Sequence, residues 1–160
     1  MTRSSVSEIA VRLKNVLAAS DAYRQTVARL VGLGVPETTI LVHLLHEGPR
    51  TPSALARRVG VTPASVTSQL DRLELAGHVV RRSNPRDRRS VLVVLTDRGH
   101  DLAARLFAIF DRDVAVGIGT ADPAVTAELG RILEHLSQRL DERARDTRAI
   151  ATDLEESGLR

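Results

Sequence analysis

Residues 78–95 read HVVRRSNPRDRRSVLVVL, and this stretch decides the fold. Two β-branched runs, at 79–80 and 91–94, flank a tip that carries Asn84, Pro85 and Asp87. Valine-rich runs broken by Asn and Pro read as a β-hairpin. Arg81, Arg82, Arg86, Arg88 and Arg89 crowd its end and tip, with Asp87 the only acid among them. So many like charges on a small hairpin repel one another, and a polyanion relieves that repulsion. Just upstream, two short helical patterns are joined by Gly60-Val61-Thr62, the spacing of a helix-turn-helix. Together they predict a winged helix that binds DNA.

The charge map agrees. Residues 50–100 hold ten arginines and four acids, whereas residues 101–160 hold eight arginines and twelve acids. The formal net charge of +3 therefore conceals a basic middle and an acidic C-terminal third. That asymmetry is the electrostatic footprint of nucleic-acid binding. A solvated basic face would explain the charge, but not its concentration on one hairpin beside a helix-turn-helix.

At 160 residues the chain suits one sizeable domain or two small lobes. Its aromatic residues are Tyr23, Phe107 and Phe110, with no Trp. Single-strand and RNA binders rely on aromatic stacking platforms, so the scarcity points to duplex DNA. There is no Cys, which excludes disulfides, thiol sensing and cysteine metal sites. No apolar run is long enough to span a membrane, and the N-terminus lacks the apolar core of a signal peptide. A soluble, cytoplasmic protein is expected.

Outside the hairpin the pattern is helical. Residues 5–31 carry Val6, Ile9, Leu13, Val16, Leu17, Tyr23, Val27 and Leu30 at three- and four-residue steps. Further helices are predicted over 37–46, 53–59, 64–76, 97–116 and 122–142, with Leu102, Leu106, Ile109, Phe110 and Val114 inward on the fifth of these six helices. Pro52 and Pro63 take favoured first positions, Thr62 is an N-cap, and glycines close several helices. The fold class is thus mainly α with a small β-hairpin wing. An N-terminal helix (1–36) precedes the winged helix-turn-helix (37–100), C-terminal helices follow (101–143), and a polar extension ends the chain (144–160). The outer helices have apolar stripes that a single chain leaves without a complete bundle. A homodimer would bury them, and its two-fold symmetry suits a palindromic site.

In the predicted recognition helix, Val66, Leu70 and Leu73 share the inward face. Ser65, Ser68, Gln69 and Arg72 form the outward strip, with Thr67 at its border. Small residues at its N-terminal end allow close entry to the major groove. Gln69 suits adenine, and Arg72 suits guanine or phosphate, although Asp71, Glu74 or another acid are alternative partners for Arg72. Thr62, Ser65 and Thr67 suit phosphates or base edges at the helix N-terminus.

The runs Leu55-Ala56-Arg57-Arg58-Val59-Gly60, Ser65-Val66-Thr67 and Leu70-Asp71-Arg72-Leu73-Glu74 carry a resemblance, as do Gly77, Asp87-Arg88-Arg89 and Leu95-Thr96-Asp97-Arg98-Gly99. Between about 37 and 100 the chain resembles the MarR family of bacterial transcription regulators. The resemblance implies a homodimer built by the terminal helices, recognition helices in successive major grooves and wings in the minor groove. It implies that Arg89 is the wing arginine, that Asp87 orients it, and that Arg86 and Arg88 contact phosphates. A narrow minor groove attracts an inserted Arg. The chain departs at Ser68, where many members carry a basic residue, so their base preference does not carry over. The resemblance also implies a repressor released by a small phenolic or anionic ligand bound between the DNA lobe and the outer helices. Without cysteine, the peroxide-sensing branch is not available. Tyr23 and His43 are polar groups on the relevant helices, and read as ordinary packing or surface residues.

Nothing points to catalysis: there is no phosphate loop, nucleophile elbow or His-Glu-x-x-His motif. No cofactor is expected. His43 and His46 lie three apart with Glu47 beside them, a spacing that can bind metal, but no third ligand converges in the sequence. A metal-responsive regulator, and a winged helix used for architectural or protein contacts, are the alternatives.

Overall fold

The computed structural model describes residues 3–159, with side chains from Ser5. Met1, Thr2 and Arg160, at the ends of the first and last predicted segments, lie outside the described residues. The elements in chain order are α1 (Arg3–Leu30), α2 (Val35–Glu47), α3 (Pro52–Val59), α4 (Pro63–Leu75), β1 (Val79–Asn84), β2 (Asp87–Leu95), α5 (Asp97–Ile118), α6 (Pro123–Arg145) and α7 (Thr147–Glu156). Two compact units divide the chain, one ending at Arg112 and the other beginning at Asp113, within α5.

Local chemistry sets the helix ends. Thr51 and Thr62 accept backbone N–H groups of Ala54 and Ser65, at 3.3 and 3.2 Å, so each caps a helix whose next residue is proline. Gly60 lies at φ +69° and Gly77 at φ +74°, conformations that only glycine adopts without strain. Around Gly77 the chain reverses through His78 N–H to Leu73 carbonyl at 2.9 Å, a C-terminal cap that aims the strand back across the helix.

The core of the first unit gathers Ile40, Leu41 and Leu44 from α2, Leu55 and Ala56 from α3, and Val66, Leu70 and Leu73 from α4. Val79, Val93 and Ala103 complete it from β1, β2 and α5. β1 and β2 pair antiparallel from Val79↔Leu95 to Ser83↔Val91, after which the register slips to Asn84↔Asp87. The slip leaves Arg88, Arg89 and Ser90 outside the ladder. Arg50 adds a one-residue bridge to Val93 on the other edge of β2, with bonds of 3.3 and 2.8 Å. The hairpin is thereby fastened to the chain just before the helix-turn-helix.

Three expectations need correction. Within the polar extension 144–160, α6 runs on through Ala144 and Arg145, and a further helix follows that the sequence reading did not separate. Asp146 breaks the helix at φ −93°, ψ 71° and caps a separate α7 by accepting the Ala149 N–H at 3.0 Å. On α5, Leu106 is buried, but Ile109, Phe110 and Val114 remain exposed. The third concerns Gln69, described below. α6 buries no residue, and Val6, Ile9, Val16 and Leu17 of α1 are exposed. No single helix among the described residues is long and apolar enough to cross a membrane.

Candidate nucleic-acid interface

Helix α4 and the wing present one continuous polar edge. On α4, Val66, Leu70 and Leu73 face the core, while Thr62, Thr67, Ser68 and Arg72 are exposed and Ser65 is half-buried. Thr67 and Ser68 donate their hydroxyls to the carbonyls of Pro63 (2.9 Å) and Ala64 (3.4 Å). Their oxygens keep lone pairs for an incoming donor.

Gln69 does not belong to the outward strip. It follows Val66 by three residues and precedes Leu73 by four, which places it on the apolar stripe, and only 7% of it is exposed. Its Nε2 donates to Ser65 Oγ at 3.0 Å, and its Oε1 is buried with no partner. As placed, it offers no group to a groove.

The wing tip is held by its own side chains. Asn84 Oδ1 accepts the Arg86 N–H at 3.0 Å, and Asn84 Nδ2 donates to Ser90 Oγ at 2.9 Å. Ser90 Oγ donates to the Asp87 carbonyl at 3.1 Å. Asp87 Oδ1 accepts the backbone N–H of Arg89 at 3.0 Å. Asp87 thus fixes Arg89 through the main chain, not through its guanidinium. Asn and Asp suit this role because their short side chains reach backbone two residues on.

Charges on this lobe fall into two groups. Arg81 is neutralised: its guanidinium bonds Asp71 at 2.7 Å and also Glu74, and its backbone N–H bonds Glu74 at 3.0 Å. Burial works against the charged form, but the two carboxylates outweigh it and push the Arg81 pKa up. The pair of acids therefore clamps the start of the hairpin to α4. By contrast, the guanidinium groups of Arg82, Arg86, Arg88 and Arg89 are exposed and have no carboxylate partner among the described residues. Of the five arginines on the hairpin, four are available to a ligand and one is structural. Arg72 is 62% exposed and pairs with Glu37 at 2.5 Å, an acid that the sequence reading did not single out. Its only sequence signal is the three-residue spacing from Gly34, the helix-capping pattern.

A separate cavity of about 240 Å³ lies between α1, α2 and α5 in the first unit. Tyr23, Phe107 and Phe110 all line it, together with Arg24, Thr38 and His43. The Tyr23 and Phe110 rings sit 6.0 Å apart. Tyr23 and His43, read from sequence as ordinary packing or surface residues, are thus brought to one cavity. His43 Nδ1 lies 3.4 Å from Glu47, whose carboxylate also accepts Arg58 at 3.1 Å and Arg50 at 3.3 Å. Burial and Arg58 hold the His43 pKa below the usual imidazole value against the pull of Glu47. Burial would raise the Glu47 carboxyl, but Arg58, His43 and Arg50 bring it down. His46 meets the Phe107 ring edge-on at 4.2 Å. Among the described residues, no three His, Asp or Glu side chains converge as a metal set.

Comparison with known proteins gives this arrangement a family. A model of the MarR family matches residues 25–90. The chain is 37% identical over 95 residues to an uncharacterized HTH-type transcriptional regulator, YcgE, of Bacillus subtilis, covering 58% of this chain and 61% of that protein. It is 36% identical over 107 residues to the HTH-type transcriptional repressor Rv2887 of Mycobacterium tuberculosis, covering 66% of this chain and 76% of the relative. The matches thus span about three fifths of YcgE and of a second Bacillus subtilis regulator, YkoM. Among solved structures, a MarR family protein from Bacillus stearothermophilus superposes with a TM-score of 0.74 at 21% identity, over 88% of this chain and 98% of that one. FabT of Streptococcus pneumoniae, solved in complex with DNA, gives 0.65 at 22% identity, over 88% and 99%. With the winged helix-turn-helix, the Asp87-Arg88-Arg89 tip and these relatives taken together, the chain belongs to the MarR family of winged-helix regulators.

Proposed function

We propose that this chain is a homodimeric, sequence-specific repressor that binds a palindromic operator in double-stranded DNA. The observation that carries the reading is the wing: Arg82, Arg86, Arg88 and Arg89 are exposed without acidic partners, on a tip locked by Asn84, Asp87 and Ser90, beside the exposed strip of α4. An arginine cluster on a rigid hairpin gains most from a phosphate array or a narrow minor groove. Arg89 is assigned to the minor groove, and Arg86 and Arg88 to phosphates. Thr62, Ser65, Thr67, Ser68 and Arg72 are assigned to the major-groove edge. The structure of FabT in complex with DNA supports the class of partner.

The exposed apolar residues of α1, α5 and α6 support pairing with a second copy through residues 1–36 and 101–143. The cavity between α1, α2 and α5 supports control by a small ligand. All three aromatic residues of the chain line it, and so do Arg24 and His43. An aromatic molecule with an anionic or phenolic group fits that chemistry. A ligand releases DNA only if it binds more tightly to a form whose lobes no longer match the operator.

The test is a titration of the full chain against a duplex selected from a randomised pool, and against scrambled DNA, at 50 and 200 mM salt. Tight binding to a palindrome is expected, with a loss of roughly a thousandfold or more between the two salts if six or more phosphates are contacted. Arg89→Ala should weaken binding while sedimentation still reports a dimer. Equal affinity for both duplexes would instead indicate an architectural role, and no binding to either would indicate a protein-contact role. Addition of aromatic carboxylates and phenols to the bound complex tests the ligand reading.

A further inference from the structure

Glu37 is the only acid among the buried residues described, with its side chain 6% exposed. An unpartnered buried carboxylate is costly, so its bonds show what it is for. Oε2 accepts the Gly34 N–H at 2.6 Å, closing the first turn of α2. Oε1 accepts the Nε–H of Arg72 at 2.5 Å, across 35 residues of chain. The bond therefore joins the start of α2 to the outward edge of α4.

Arg72 has closer acids in sequence, Asp71 and Glu74, but Arg81 occupies both. Three acids and two arginines are thus partitioned without sharing. The arrangement uses one of the five N–H donors of Arg72 and leaves the four on its terminal nitrogens free at an exposed edge. A guanidinium held at Nε keeps its fork in one plane, whereas an unheld one loses rotamer entropy whenever it docks.

We propose that Glu37 is a positioning residue for DNA recognition: it orients the Arg72 fork so that its terminal N–H pair meets a base edge in one direction. This rests on the reading that α4 enters the major groove. The expected signature is a loss of discrimination without a loss of general affinity. Glu37→Gln leaves one acceptor oxygen and sets an NH2 donor where the second stood, against either the Gly34 N–H or the Arg72 Nε–H, so the present pair of bonds is not kept. It also removes a negative charge from the DNA-binding lobe, so binding to scrambled DNA holds or strengthens. Discrimination between the selected and scrambled duplexes should fall roughly 5- to 150-fold, the range for one bidentate base contact.

The experiment measures both affinities, the salt slope and the urea midpoint for the full-length wild type, Glu37→Gln, Arg72→Ala and the double variant. Glu37→Gln is expected to lower discrimination in the wild-type background and to change it no further once Arg72 is Ala. Arg72→Lys, which keeps the charge but loses the fork, should reproduce the loss of discrimination with the salt slope unchanged, and it serves if Glu37→Gln fails to fold. Additive effects, or a uniform drop on both duplexes that tracks a lower urea midpoint, would overturn the proposal. Wild-type binding by Arg72→Ala would overturn the groove assignment of Arg72 beneath it, and is distinguishable because Glu37→Gln would then be silent as well.

Discussion

Gly99→Ala tests whether the joint between the wing and α5 depends on backbone contact. Gly99 is the third residue of α5 and is buried. A Cβ built there would lie 1.9 Å from the His78 carbonyl oxygen and 2.8 Å from its carbon, whereas ordinary contact begins at 3.4 Å. Helix α5 must therefore move away from the α4–β1 turn by about 1.5 Å. That motion strains a compact set of bonds: Thr96 N–H to the His78 carbonyl (3.0 Å), Thr96 Oγ1 to the Gly77 carbonyl (2.7 Å) and Gly99 N–H to Thr96 Oγ1 (3.0 Å). Helix propensity alone favours Ala over Gly by about 1 kcal/mol. Overpacking costs about 1–3 kcal/mol, and each broken hydrogen bond about 0.5–1.5 kcal/mol. The steric cost wins, for a net destabilisation of about 2–4 kcal/mol. Urea unfolding followed by far-ultraviolet circular dichroism, at fixed protomer concentration, reads this directly. An unchanged or raised midpoint would show that α5 stands clear of His78 and would refute the contact.

Other perturbations follow from the same lobe. Thr62→Ala removes the N-cap of α4 and should cost about 1 kcal/mol in urea unfolding; no shift in the midpoint would mean that Ser65 finds another acceptor. Gln69→Leu removes a buried amide oxygen without a partner and gives up one bond to Ser65, so stability should stay within about 1 kcal/mol of wild type, with base preference unaltered. A base-specific loss of DNA affinity in that variant would mean that Gln69 turns outward on DNA. His43 and His78 both have pKa values below the ordinary 6.5, burial being the first cause, with Arg58 and Arg98 assisting. The unfolded chain then takes up their protons first, so their contribution is complete above pH 6.5 and is lost as pH falls through the lower folded values. Urea midpoints should drop between pH 7 and pH 5.5, and less steeply in His43→Gln and His78→Gln; a rise on acidification would contradict the sign.

By itself the sequence determined six of the seven helices, the hairpin and the fold class, because the signals that set them act over a few residues. Thr51, Thr62 and Asp122 cap the helices they precede, and the Asn84–Ser90 tip closes on itself. The Leu-Thr-x-x-Gly run was legible as a motif, but its reason was not: Thr96 caps α5 and Gly99 admits the His78 carbonyl, a meeting of segments 21 residues apart. Tertiary structure alone decided which arginines are free. Arg81 is consumed by Asp71 and Glu74 because the hairpin folds back over α4, and Arg72 is held by Glu37 because the start of α2 packs beside α4. Gln69 was misread for a related reason. A polar residue on an apolar stripe looks outward in a sequence, and only the packing of α4 against its neighbours shows that it is covered. The gathering of Tyr23, Phe107 and Phe110 around one cavity likewise depends on how α1, α2 and α5 cross. Charge and side-chain chemistry are written locally, but the partner each group finds is set by contacts between segments distant in the chain.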